Sequence, residues 1–258
     1  MRTHLKIRLL IIVFLLFILK ACAPTNYVYI KQINADIHKI KNVFIMIEYL
    51  DAKNDVKGFW NFDEDINLSN QDALYDIASQ MLINKGYLLS DKILKTSGLV
   101  IARDFYMDHY VNKQLQNEVI APPYIVRSVN LEDQNIVELE YLLAELNRPM
   151  STVMADYRGF VKNNYKTQTT STGLPNDSAI LLIQSYKPRV SLFDNVTVNY
   201  SVTSSDGAGA IGIGRHSPQA SSHAYLIHVG SGDLIWSNKT SLIKLSNQEE
   251  FFNELPLN

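Results

Sequence analysis

A glycine-rich stretch near the C-terminus carries the pattern with the most specific potential chemistry. The stretch Gly207–Gly214 reads GAGAIGIG and contains G-x-G-x-x-G, the dinucleotide-binding fingerprint, and Asp233 follows at a spacing suited to a ribose. The fingerprint binds pyrophosphate where a helix begins at the glycines, because the helix N–H groups hold the phosphates. The residues that follow lack apolar periodicity and include Pro218. We therefore predict an exposed insertion loop over residues 205–222 and no cofactor.

An acidic run earlier in the chain resembles the start of a calcium-binding loop. Asp63–Asn67 reads Asp-Glu-Asp-Ile-Asn, as at the opening of an EF-hand. Such a loop needs Gly at its sixth position and a bidentate Glu at its twelfth, where this chain has Leu68 and Leu74. Because neither position carries the required residue, the run is predicted to be a solvated acidic loop, and weak surface binding of Ca²⁺ is the alternative.

Three histidines, His216, His223 and His228, lie close together in the sequence. A zinc site would need three ligands in a defined geometry. His223 and His228 are an odd number of residues apart, so on one strand they point to opposite faces. The chain also lacks the G-x-S-x-G, H-E-x-x-H and P-loop signatures. We predict surface histidines, no metal site, no catalytic residues and no enzymatic activity.

The elements that would position such residues begin with a buried strand and an amphipathic helix. Val43–Ile47 is a short apolar run of the kind found in central strands. Residues 51–70 are polar and predict an irregular segment, and Ser69 is a candidate N-cap. An apolar stripe at helical spacing predicts the helix itself, and Gly86 stands where a helix-ending glycine belongs. The stripe consists of Leu74, Ile77, Ala78, Met81 and Leu82.

The middle of the chain, residues 130–164, is predicted to be helical. Asn130 is a candidate cap for a helix over Leu131–Leu146, and a second helix is expected over Met150–Val161 after Pro149. The inward positions of the first helix are Ile136, Leu139, Leu142, Leu143 and Leu146.

The last third of the chain has the pattern of β-strands joined by glycine-rich turns. Ala179–Ile183 is a buried-type run, Val196–Thr203 alternates apolar and polar residues, and Ala224–Val229 turns into Leu234–Trp236. The insertion loop is expected to split the hairpin of Val196–Thr203 and Ala224–Val229. A short helix over Asn247–Leu255 should close an α+β fold of the α/β sandwich type. Its sheet is mixed, mainly antiparallel, with helices packed on it and C-terminal hairpins.

The N-terminus has the features of a secretory signal. A basic start precedes the apolar run Leu9–Leu19, whose 11 residues are fewer than the roughly 20 that span a bilayer. The following Leu19-Lys20-Ala21-Cys22 resembles the lipobox of bacterial lipoprotein precursors, although Lys20 occupies a position that is normally small or apolar. The resemblance implies a signal peptide over residues 1–21 and diacylation of Cys22. Ala23 in place of Asp implies sorting to the outer membrane.

Composition and charge restrict the partners of the remaining chain. Cys22 is the only cysteine, so no disulfide can form within one chain. Without the four basic residues of the signal peptide, 20 basic residues stand against 26 acidic ones. This net negative charge and the lack of a basic cluster argue against nucleic-acid binding. We expect a lipidated tether over residues 22–41 and one periplasmic domain over residues 42–258.

Two short motifs resemble a group of periplasmic lipoproteins whose fold is related to the N-terminal domain of TolB. Leu82–Tyr87 matches the "L…KGY" that follows the first helix in that group, and Gly232–Trp236 matches its late "D…G…LW" hairpin. The group includes the curli secretion channel lipoprotein and penicillin-binding-protein activators. The resemblance implies binding and assembly rather than catalysis.

Three functions are consistent with these features. The first is a lipid-anchored accessory that binds a protein of an envelope complex for secretion, transport or cell-wall synthesis. The second is an oligomeric secretion or pore component, for which the alternation in Val196–Thr203 is suggestive. The third is a cell-wall hydrolase whose catalytic residues the sequence does not reveal.

Overall fold

The computed structural model describes most of the domain expected from the sequence. The described residues are 27–30, 40–54, 59–101, 103–147, 172–189, 197–199, 212–214, 221–240, 251–252 and 255–256. The signal peptide, Cys22, the second helix of the middle segment and His216 lie outside them. Among the described residues, no helix combines the length and apolar character needed to cross a bilayer.

Ten strands form one mixed sheet. The strands of the sheet are β1 (Tyr27–Ile30), β2 (Asn42–Asn54), β3 (Trp60–Asp63), β4 (Leu88–Ser97), β5 (Met107–Val111), β6 (Gln114–Ile120), β7 (Ile125–Val129), β8 (Ser178–Arg189), β11 (Ser221–His228) and β12 (Leu234–Thr240). The longest path through the sheet runs β1-β12-β11-β8-β2-β3-β5-β6, while β4 pairs with β2 and with β7. A separate pair is formed by β9 (Thr197–Asn199) and β10 (Gly212–Gly214).

Antiparallel pairs predominate in this sheet, and the parallel pairs surround its centre. Strand β2 runs parallel to β8 and to β4, and β3 runs parallel to β5. The remaining strand pairs are antiparallel. Two helices, α1 (Glu64–Asn84) and α2 (Asp133–Asn147), pack on the sheet. The predicted α+β class with a mixed, mainly antiparallel sheet is therefore confirmed.

Strand β2 is the centre of the core because both of its faces are buried. Phe44 and Met46 belong to an apolar layer that includes Leu139 of α2. Val43 and Ile45 point into the opposite layer, which includes the α1 residues Leu74, Ala78 and Leu82. A strand that is covered on both faces needs apolar residues at consecutive positions, which explains the unbroken run Val43–Ile47.

One edge of β2 changes its partner along its length. Residues 42–48 pair with β4, whereas Ala52, Lys53 and Asn54 pair with β3. The sheet therefore divides into a β4–β7 branch and a β3–β5–β6 branch. We call residues 48–51 of β2 the branch point, because they run from the last residue that pairs with β4 to the residue before the β3 pairing.

Helix α1 begins earlier than the sequence indicated. Its N-cap is Asp63, whose side chain accepts a hydrogen bond from the Ile66 N–H at 3.2 Å, so Ser69 lies within the helix. The predicted irregular segment over residues 51–70 was therefore wrong, since it contains the end of β2, all of β3 and the first turns of α1. Gly86 has φ of 89° and follows the helix as predicted.

Helix α2 buries the predicted stripe but is not capped by Asn130. Asn130 has φ of 54°, and its amide donates to the Asp91 backbone and side chain at 3.2 Å. It therefore ties the end of β7 to β4. Leu139, Leu142 and Leu143 are buried against the sheet as expected.

The C-terminal strands pair differently from the prediction. Strand β11, which contains Ala224, lies between β8 and β12, while residues 197–199 pair with Gly212–Gly214 in the separate sheet. The expected hairpin of Val196–Thr203 with Ala224–Val229 is therefore wrong, and three residues of the predicted glycine-rich loop form β10. The hairpin of β11 with β12 is confirmed. In the predicted closing helix, Phe251 and Phe252 are helical.

Candidate functional site

The carboxyl group of Glu48 is buried at the branch point among hydrogen-bond donors. Its Oε1 accepts from the backbone N–H groups of Gly98 at 2.8 Å and Leu99 at 3.2 Å. The Tyr186 hydroxyl donates to the same oxygen at 3.4 Å, and the Thr96 hydroxyl donates to Oε2. The carboxyl group thereby fastens the end of β4 and the following turn to β2.

Burial changes the acid–base properties of this group. Loss of hydration raises the pKa of Glu48 from 4.5 to about 7, although its hydrogen bonds favour the charged form. Burial also raises the pKa of Tyr124, and the nearby charge of Glu48 adds to that effect. Glu48 is fully buried, with no exposed surface for a substrate. The group is therefore suited to holding the fold and not to contacting a substrate.

Polar side chains replace the strand hydrogen bonds that are missing at the branch point. The Asn67 amide donates to the Asp51 carbonyl at 3.0 Å and accepts from the Asp51 N–H at 2.8 Å. This two-way bonding is what a neighbouring strand would offer. Gln71 donates to the Thr96 carbonyl at 2.9 Å and to Ser97 Oγ, and Ser97 donates to the Tyr49 carbonyl at 2.6 Å. Side chains of α1 thus fill the gap between the two branches.

The acidic run Asp63–Asn67 is the first turn of α1 and is largely engaged. Glu64 Oε2 lies 2.7 Å from His109 Nε2 on β5, and Asp65 accepts from the backbone N–H of Asn112. The prediction of a solvated acidic loop was therefore wrong. Carboxylates are favourable at a helix N-terminus, and here they also reach a neighbouring hairpin.

That hairpin, formed by β5 and β6, has a tight and well-defined turn. Asn112 and Lys113 have φ of 52° and 63°, as the two central residues of a type I′ turn require. Because Asp65 binds the turn and Glu64 binds the strand before it, α1 braces the hairpin at two points. We call this unit, residues 107–120, the braced hairpin. Local sequence patterns predict neither brace, because each contact joins residues that are distant in the chain.

The braced hairpin exposes two large apolar side chains. Leu115 is 57 % exposed and Val119 is 60 % exposed. Leu115 pairs with Tyr110 and Val119 pairs with Asp108 on β5, and the register of the hairpin shifts between these two pairs. Strand β6 is the last strand of its branch among the described strands. The hairpin therefore offers two exposed apolar side chains and an open edge to a partner.

A cleft of about 310 Å³ lies beside the hairpin on that same branch. Its two carboxylates have structural partners, because Asp63 caps α1 and Asp51 lies 3.5 Å from the Lys187 ammonium. The cleft therefore has polar walls without a free catalytic pair among its described residues. It is lined by Asp51, Lys53, Asn61, Asp63, Ile66, Tyr110 and Lys113.

The histidines considered from the sequence have local partners. His223 Nδ1 lies 3.1 Å from the Tyr225 hydroxyl, and His228 Nδ1 accepts from the Ser231 N–H at 3.1 Å. No group of three or more potential metal ligands occurs within the described part of the chain. His109, which was not a candidate site residue in the sequence, links β5 to α1 through Glu64.

The fold and these contacts define an α+β domain that carries an accessible braced hairpin. No protein-family model matches the chain, and no curated protein or solved structure matches it either.

Replacement of Glu48 by Gln should remove a pH dependence of stability. The folded-state pKa of about 7 is above the ordinary value of 4.5, so the folded protein binds this proton more tightly than the unfolded chain. The stabilisation from this bound proton is fully present below the ordinary pKa of 4.5 and is lost as the pH rises through the folded-state pKa of about 7. Between pH ~4.5 and ~8, the free energy of unfolding of the wild type should fall by about 3 kcal/mol more than that of Glu48→Gln.

Urea unfolding at several pH values measures this difference. Glu132→Gln, which neutralises an exposed glutamate, serves as the control and should keep the wild-type pH dependence. Parallel stability curves for the wild type and Glu48→Gln would contradict the assignment.

Replacement of Asp65 by Ala should loosen the tip of the braced hairpin. The change removes the acceptor for the Asn112 N–H, a loss of about 0.5–1.5 kcal/mol in local stability. Amide hydrogen exchange at Asn112 should quicken several-fold, while amides of β8 should be unchanged. The control is Asp76→Ala, which removes an exposed carboxylate from the same helix. Unchanged exchange at Asn112 would show that the brace contributes nothing.

Proposed function

We propose that this protein is a membrane-anchored periplasmic lipoprotein that acts by binding, as an accessory in the assembly of an envelope complex. The observation that carries the binding role is the exposure of Leu115 and Val119 on a hairpin that α1 holds in place. The membrane anchor is supported by the basic start, the short apolar run and the lipobox-like sequence that ends in Cys22.

The braced hairpin is suited to binding a protein because its conformation is already fixed. Ordering a loop on binding reduces affinity, and a braced strand avoids most of that cost. Burial of two apolar side chains that are more than half exposed would add a favourable contribution of a few kcal/mol. The open edge of β6 can also offer backbone hydrogen bonds to an extended segment of a partner.

The anchor supports the same role by restricting the protein to one surface. Acyl chains contribute about 0.8 kcal/mol for each buried CH₂ group, and two or more chains bind a membrane stably. A protein held in this way meets membrane partners at a high local concentration. The proposed location is the periplasmic face of the outer membrane.

Replacement of Cys22 by Ser should release the protein from the membrane fraction. The serine cannot form the thioether to the diacylglyceryl group, so the stable anchor would be lost. Fractionation of cells that express the wild type or Cys22→Ser measures the effect, and metabolic labelling with a fatty acid reports on the lipid itself. The lipoprotein proposal fails if Cys22→Ser remains as firmly bound as the wild type, or if the wild type takes up no label.

A photo-reactive residue at position 115 or 119 should capture a partner in intact envelopes. The matched control is the same residue at Val137, a partly exposed apolar position on α2. We expect a discrete crosslinked band from positions 115 and 119 that is several-fold stronger than from position 137. With the photo-reactive residue at position 115, the band should weaken when Val119 is changed to Lys. With the photo-reactive residue at position 119, the band should weaken when Leu115 is changed to Lys. Equal capture from all three positions would refute a binding role for the hairpin.

A further inference from the structure

Strand β1 connects the expected anchor directly to the sheet. Residues Tyr27–Ile30 pair antiparallel with Trp236–Lys239 of β12, and Tyr27 lies opposite Lys239. Among the described strands, β1 has a neighbour on its β12 side alone, so it forms an edge of the sheet. The segment expected to be a tether, residues 22–41, thus includes part of the folded domain.

The chain between Cys22 and β1 is too short to let this edge move far from the membrane. The five Cα–Cα steps from Cys22 to Tyr27 span at most about 18 Å when the chain is fully extended. If Cys22 is lipidated, as the proposed function holds, the Tyr27 end of β1 and the adjacent part of β12 stay within that distance of the lipid headgroups.

The braced hairpin lies at the other end of the sheet. The path from β1 to β6 crosses seven strand spacings of about 4.8 Å, which corresponds to roughly 30 Å. The hairpin and the first turn of α1 carry four carboxylates, from Glu64, Asp65, Asp108 and Glu118, against one lysine, Lys113. Anionic phospholipid headgroups repel such a region.

We infer that the domain stands with its β1 edge on the phospholipid surface and presents the braced hairpin away from the membrane. None of the described strands pairs with the outer edge of β1, so its backbone N–H and C=O groups need hydrogen bonds from elsewhere. Headgroups and interfacial water supply these bonds, whereas the hydrocarbon core cannot. The edge therefore contacts the headgroup layer without insertion, and the anchor and the braced hairpin act at opposite ends of one sheet.

Energy transfer from single labels to the membrane tests this orientation. The lipidated full-length protein is reconstituted in vesicles of phosphatidylethanolamine and phosphatidylglycerol that carry an acceptor dye on their headgroups. Because Cys22 is the only natural cysteine and would be blocked by lipid, Lys239→Cys and Gln114→Cys each provide one site for a donor dye. We expect transfer from position 239 to exceed transfer from position 114 several-fold. His223→Cys, on the neighbouring strand, replaces Lys239→Cys if that variant fails to fold.

A spacer variant is the control for the short connection. A Gly/Ser insert of about 20 residues after Asn26, with a root-mean-square span of roughly 25 Å, should reduce the difference between the two labels. Equal transfer from both positions without the spacer, or stronger transfer from position 114, would overturn the inferred orientation. Failure of the proposed function looks different, because a protein without the lipid would not remain with the vesicles in a flotation assay.

Discussion

The rest of the structure depends on how β2 keeps its backbone hydrogen bonds while it changes partner. A strand inside a sheet cannot leave N–H and C=O groups unpaired without a loss of stability. Here Asn67 bonds both groups of Asp51, and Ser97 bonds the Tyr49 carbonyl. These contacts let one edge of a central strand support two branches. They hold the β3–β5–β6 branch beside the core together with the three-residue pairing of β3 with β2.

The same arrangement places a carboxyl group in an apolar layer. Glu48 holds the turn after β4 through the N–H groups of Gly98 and Leu99, which have no other described strand to bond. Burial of the charge opposes folding, and the raised pKa expresses that cost. Neutral groups of similar shape in place of the carboxyl group and its partner would be buried at a lower cost in free energy. The carboxyl group has the advantage of accepting several hydrogen bonds at once, which fixes the geometry of the branch.

The proposed binding role follows from the position of the branch. Helix α1 begins directly after β3, so its first carboxylates reach the next hairpin in the sheet. That hairpin keeps Leu115 and Val119 exposed without depending on a partner for its shape. At the opposite edge, β1 leads within a few residues to Cys22. One sheet therefore connects the proposed anchor to the proposed contact face.

Local sequence patterns were enough to predict the features that arise from neighbours in the chain. These features are the apolar run Val43–Ile47, the stripe of α1, Gly86 and the buried face of α2, and together they predict the fold class. The partners of β11, the two-point brace by the acidic run and the position of Glu48 become visible in the folded structure alone. These depend on contacts between residues distant in the chain. A charged side chain in a sequence is compatible equally with solvent and with a distant partner, because its local pattern is the same in both cases.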